Sequence, residues 1–124
     1  MIKVVCGIIW KGDKVLICRR KPDKSLGGFW EFPGGKLEND ESPEQCLERE
    51  LFEELGMRVN QIEFLGTSHH AYSNFEIELL GFHCNFIDAS FELTDHDQIK
   101  WSKVNDLTFE RLAPADIPLI DLIK

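Results

Sequence analysis

Three glutamates, Glu50, Glu53 and Glu54, stand at i, i+3 and i+4 in a stretch whose apolar residues recur at helical spacing. On a helix all three share one face within a single turn. Like charges so placed cost about 0.2–0.5 kcal/mol per pair. They also sit towards the helix C-terminus, where the macrodipole disfavours them. Two readings fit: a solvated acidic face, or oxygen ligands for a hard divalent cation. The surroundings share the imbalance. From Glu38 to Glu54 there are eight acidic residues and one basic one, Arg49, so this segment holds almost all of the net charge of −8. Such a cluster repels itself unless something cationic offsets it.

The elements that must position these groups can be read on either side. Ser42 suits a helix N-cap and Pro43 the first helical position. Cys46, Leu47, Leu51 and Leu55 form the apolar stripe, and Gly56 ends the helix. In front lies Gly34-Gly35, a pair that permits positive φ or close backbone approach to a ligand. Residues 2–10 read as a buried strand and residues 15–20 as its hairpin partner across Lys11-Gly12-Asp13-Lys14. Residues 21–28 are a basic loop, and Phe29 to Phe32 is a short aromatic strand stopped by Pro33. Strand patterns cover 62–72, 75–86 and 99–104, and residues 117–123 read as a terminal helix. Strands with one central and one terminal helix predict a layered α/β domain.

Composition narrows the function classes. A chain of 124 residues suits a single domain over 1–124. The negative charge excludes a general binder of nucleic-acid backbone. No apolar run reaches the roughly 20 residues of a membrane span, and the strand-like N-terminus does not read as a secretory leader. Cys6, Cys18, Cys46 and Cys84 have neither zinc nor redox spacing, so free thiols in a reducing cytoplasm are expected.

Taken together, Gly35, Glu41, Arg49-Glu50-Leu51, Glu53-Glu54, Gly56 and Met57 resemble the Nudix box, G-x5-E-x7-R-E-U-x-E-E-x-G-U, at every position. Trp30-Glu31-Phe32-Pro33-Gly34-Gly35-Lys36 resembles the segment that precedes the box in the MutT-type branch. Leu112-Ala113-Pro114-Ala115-Asp116-Ile117-Pro118 resembles the C-terminal motif of the CTP pyrophosphohydrolase subgroup. The resemblance implies an α/β/α sandwich with a mixed sheet. It implies Mg²⁺-dependent hydrolysis of a (deoxy)nucleoside triphosphate to monophosphate and pyrophosphate. The alternatives are another substrate of the family, such as an oxidised guanine nucleotide, or a catalytically silent nucleotide-binding module. The partner is then a small nucleotide, with the protein a monomer or homodimer.

By the same resemblance the metal ligands are the Gly34 carbonyl and the carboxylates of Glu50, Glu53 and Glu54. Glu41 and Arg49 orient them. Glu50 is the first choice of general base and Glu53 the second. Asp95, before His96 and Trp101, takes the place of a further acidic ligand but is one carbon shorter than the glutamate usual there. It fits direct ligation, a water-mediated contact or a plain polar turn, and Asp97 is its understudy. Arg20 and Lys36 flank the site as phosphate contacts or as surface charge. Phe32, Tyr72 and Phe75 are candidates to stack on a base. Asp116 either N-caps the terminal helix or reads the base. An ionised aspartate only accepts hydrogen bonds, which suits the exocyclic amine of cytosine.

Overall fold

The computed structural model describes residues 1–124. β1 (Ile2–Lys11) turns at Gly12 into β2 (Lys14–Arg20), followed by β3 (Trp30–Glu31), β4 (Gly34–Lys36) and helix α1 (Pro43–Leu55). Then come β5 (Met57–Ala71), β6 (Glu76–Ala89), β7 (His96–Lys103), a 3₁₀ turn over Val104–Phe109 and the short α2 (Ile117–Ile120). The strands form one mixed seven-stranded sheet in which β1 and β6 are parallel and all other pairs antiparallel.

The apolar run of β1 is continuous because both faces of the sheet are covered. Val5 and Ile9 of β1, with Leu16 and Cys18 of β2, face Cys46, Leu47, Leu51 and Leu55 of α1. The alternate residues Cys6, Ile8, Val15 and Ile17 face Leu107, Leu112, Leu119 and Ile120. This is the expected sandwich, with the second outer layer reduced to the 3₁₀ turn and α2. Leu51 is almost completely buried in the first core, so Leu51→Ala is expected to cost about 2–5 kcal/mol.

The helix limits are those expected. Ser42 Oγ accepts from the Gln45 N–H at 3.1 Å and Gln45 Oε1 accepts from the Ser42 N–H at 2.9 Å. This reciprocal pair satisfies two of the free N–H groups at the helix start. Gly56 closes the helix in the left-handed region, φ 57°. Three expectations are corrected. β5 starts directly after Gly56 rather than at Ile62; register shifts at Arg58/Val59, Asn60/Glu63 and Phe64/Gly66 broke the alternation that marks a strand. The terminal helix is a single turn, with Pro118 inside it. Gly34 and Gly35 do not adopt positive φ; they are strand residues paired with Cys6 and Val5.

One feature of the sheet creates the site. β1 pairs with β2 only beside the hairpin, at Trp10–Val15 and Lys11–Lys14, and then with β4 at Val4 to Cys6. β2 diverges to pair with β3 and β7. The separation opens a cleft between Cys6, Arg20, Glu31 and β4.

Candidate active site

α1 projects its acidic face beside β4, and Arg49 organises one half of that face. Its Nε and Nη2 donate to the two carboxylate oxygens of Glu41 at 3.0 and 2.8 Å. Its Nη1 donates to Glu50 at 2.9 Å and to Glu53 at 3.3 Å, and Nη2 also reaches the Lys36 carbonyl at 3.4 Å. Glu41 accepts the Glu38 N–H as well. The Arg49 hydrogen bonds and that N–H hold the Glu41 carboxyl down at about 2.

Glu54 lies on the other half and behaves oppositely. Burial, the hydrogen-bonding Glu50 carboxyl and the nearby charge of Glu31 push it up to about 9. Glu50 packs directly on β4: a Cβ on Gly35 would fall on its carboxylate, and a Cβ on Gly34 would fall on the Val5 carbonyl oxygen. Close approach is therefore what both positions require. Glu53 leans out towards Arg49 and is more than half exposed. The three glutamates share a face, but no three acidic, His or Cys side chains converge in a ready-made cage. Their mutual repulsion and the single guanidinium account for this. The donors are all oxygen, which suits a hard divalent cation, and a cation would relieve the crowding that raises Glu54.

The cleft holds about 220 Å³. Phe32 is buried in its wall, while Tyr72 and Phe75 line it with ring centroids 5.2 Å apart. The Tyr72 hydroxyl accepts the Ala115 N–H at 3.4 Å. Asp116 stands at the N-cap position of α2 but does not cap the helix with its side chain. It makes no side-chain bond to α2; instead its Oδ2 accepts the Phe32 N–H at 2.8 Å from within the cleft wall. Burial and the charge of Glu31 raise its carboxyl well above the usual range. The same surroundings favour the protonated form of this carboxyl, which can donate as well as accept, whereas the ionised form only accepts.

Arg20 and Lys36 both line the cleft. Arg20 is already engaged, donating to Glu31 Oε2 at 3.3 Å and to the Ser25 carbonyl at 2.6 Å. Lys36 is exposed at the mouth. Asp95 faces Lys24 at 3.4 Å, and its charge reaches Glu54. Asp97 is bound by Arg19 at 2.8 and 3.0 Å. Glu31 and His96 were not anticipated. Glu31 lines the cleft and accepts from the fully buried His96, Nε2 to Oε2 2.8 Å. The available signal was a charged residue between two aromatics, Trp30 and Phe32, in a strand.

Comparison with known proteins agrees with this geometry. The NUDIX domain profile matches residues 4–122. The CTP pyrophosphohydrolase of Escherichia coli (strain K12) is 36% identical over 98% of this chain and 90% of its own length. An 8-oxo-dGTP diphosphatase of Proteus vulgaris is 46% identical over 63% of this chain and 70% of its own. The solution structure of the E. coli ORF135 protein superposes with TM-score 0.84 at 36% identity, covering 99% of this chain and 88% of that one. A MutT NUDIX hydrolase from Burkholderia pseudomallei shares the fold at TM-score 0.89 and 23% identity, covering 99% and 98%. With its box on α1 and its cleft beside β4, the chain belongs to the NUDIX domain family and is a MutT-like Nudix hydrolase.

Proposed function

We propose that residues 1–124 act as one domain that hydrolyses (deoxy)nucleoside triphosphates to monophosphate and pyrophosphate with Mg²⁺, Mn²⁺ being the alternative metal. The observation that carries this reading is the continuity of the cleft. It runs from Asp116 and Phe32 to Gly34, Gly35 and Lys36, and Glu50 packs against Gly35. A base held at one end therefore presents its phosphates to the carboxylate helix.

The Gly34 carbonyl and the carboxylates of Glu50, Glu53 and Glu54 would hold the metal, with Asp95, whose charge reaches Glu54, acting through water. When bound, the metal supplies neutralisation of phosphate charge and acidification of a water. Glu50 takes the proton of the attacking water, and Glu53 is the second choice. Arg49 and Glu41 keep Glu50 in place. Lys36, which has no protein ion-pair partner, meets phosphate at the mouth of the cleft; Arg20 contributes through the part of its guanidinium not used by Glu31 and Ser25. Phe32 packs beside the base, with Tyr72 and Phe75 on the other wall. Four free, buried cysteines suit work in the reducing cytoplasm.

Cytosine-type nucleotides, including modified ones, are the first reading of the substrate, supported by the similarity to a CTP pyrophosphohydrolase over nearly the whole chain. Asp116 favours a second reading. Burial favours the protonated form of this carboxyl, and in that form it would donate to a carbonyl such as that of an oxidised guanine while its other oxygen stays on the Phe32 N–H. Pyrophosphate release from CTP, dCTP, 5-methyl-dCTP and 8-oxo-dGTP decides between them. Faster turnover of the cytosine set supports the first reading, and faster turnover of 8-oxo-dGTP the second. Asp116→Asn should change the ranking of the bases more than the rate on the best of them.

A further inference from the structure

His96 has no part in the reading above, yet its surroundings are unusual. The side chain is completely buried, and Nδ1 has no hydrogen-bond partner. Buried polar atoms are nearly always satisfied, so an orphan of this kind points to a use. On one side of the ring, Nε2 lies 2.8 Å from Glu31 Oε2, in the cleft wall. On the other side, the orphaned Nδ1 lies 3.8 Å from Glu54 Oε2, on the inner edge of α1. Glu31 Oε2 also takes Arg20 Nη1 at 3.3 Å, and no protein group bonds Oε1. A single rigid ring thus separates the acid of the cleft from the most buried acid of the helix.

We propose that His96 is a positioning residue for hydrolysis: its Nε2–H fixes Glu31 in the cleft wall, and its ring sets the distance between Glu31 and Glu54. The two halves of the site, one on β3 and one on α1, then keep one spacing when the substrate is bound. A flexible side chain at 96 would let Glu31 turn wholly towards Arg20 and let Glu54 move into the space. The inference rests on hydrolysis by this family member and not on the base preference. Every rate is compared with the wild-type rate on whichever nucleotide that enzyme turns over fastest, so a wrong base preference leaves the test intact.

The test compares His96→Leu, which fills the space without an N–H, with His96→Gln, whose amide can still donate to Glu31. Steady-state kinetics, thermal melting and the Kd of a non-hydrolysable nucleotide analogue are measured for each. His96→Leu is expected to lower kcat by about 10–100-fold while KM and the analogue's Kd stay within about threefold, the split expected when turnover rather than binding suffers. His96→Gln should recover to within about threefold of wild type. In a Glu31→Ala background, His96→Leu should add less than about twofold, because the two act through one bond. An unchanged kcat in a destabilised His96→Leu protein would overturn the proposal and leave a packing residue. Equal losses in the Leu and Gln variants, or losses that multiply in the double variant, would overturn it too. Should His96→Leu fail to fold, His96→Asn takes its place, since its shorter amide cannot reach Glu31; the same expectations and the same contrary results apply.

Discussion

Glu41 and Glu54 are both glutamates of the Nudix box, and their carboxyls move in opposite directions. Glu41 is held down at about 2 and Glu54 is pushed up to about 9. The difference lies in what each meets. Glu41 has two hydrogen bonds from Arg49 and a backbone N–H. Glu54 has burial, Glu50 and the charge of Glu31. The chain therefore carries its own cation for one half of the acidic face and leaves the other half short of one. The neutralised half is a scaffold; the crowded half has a reason to bind a cation from outside.

The strongest way to break this contrast is to remove the carboxylate that joins the two halves, since Glu50 accepts from Arg49 and raises Glu54. Glu50→Gln is expected to lower kcat by about 10²–10⁴-fold, the usual contribution of a positioned acid or base. Melting in metal-free buffer should show little loss of stability, because the amide oxygen that replaces the carboxylate can still accept from Arg49. A kcat loss of less than about tenfold would move the role of base to Glu53. Next comes the scaffold half. Lysine is a point charge and cannot grip Glu41 with two bonds while holding Glu50. Arg49→Lys should therefore reduce kcat by about 10–100-fold, read by steady-state assay at saturating nucleotide and metal.

A third prediction concerns protons. A carboxyl raised to about 9 carries its proton at neutral pH, and a metal must displace it. Mg²⁺ affinity should therefore tighten as pH rises from neutrality towards about 9, by up to about tenfold per pH unit. Calorimetric titration in buffers of different ionisation enthalpy should show about one proton released per metal bound. Glu54→Gln should abolish both effects, and a pH-independent affinity would break the contrast at its upper end. The smallest effect is at the lower end. Glu41 is depressed from an ordinary 4.5 to about 2, so its contribution to stability is complete above 4.5 and disappears as pH falls through about 2. Acid unfolding of Glu41→Gln should lack that part of the pH dependence while keeping the rest.

Much of the helix was legible because its signals are local. Ser42, Pro43 and Gly56 mark its ends within a few residues of the atoms they bond, and Leu47, Leu51 and Leu55 state its buried face. The layered fold followed from strand patterns in the same way, except where bulges in β5 interrupted the alternation. The site was legible only as a set of residues. Spacing placed Glu50, Glu53 and Glu54 on one face but could not say that Arg49 would draw Glu53 outwards. Asp116 could be read as a helix cap or as a reader of the base; the partner it has, the Phe32 N–H, is 84 positions away. His96 and Glu31 meet across 65 positions, and no local pattern records such a contact.

That long reach also sets an order of assembly. The acidic helix closes on itself through Ser42, Gln45, Arg49 and Glu41, all near neighbours. The cleft wall exists only once the parallel pairing of β1 with β6 is in place and Asp116 has returned to Phe32. Distant closures cost more chain entropy and come later in folding. In refolding, protection of the α1 amides should precede protection of the Phe32 amide. For that interval the molecule carries its acidic helix without any means of choosing a base.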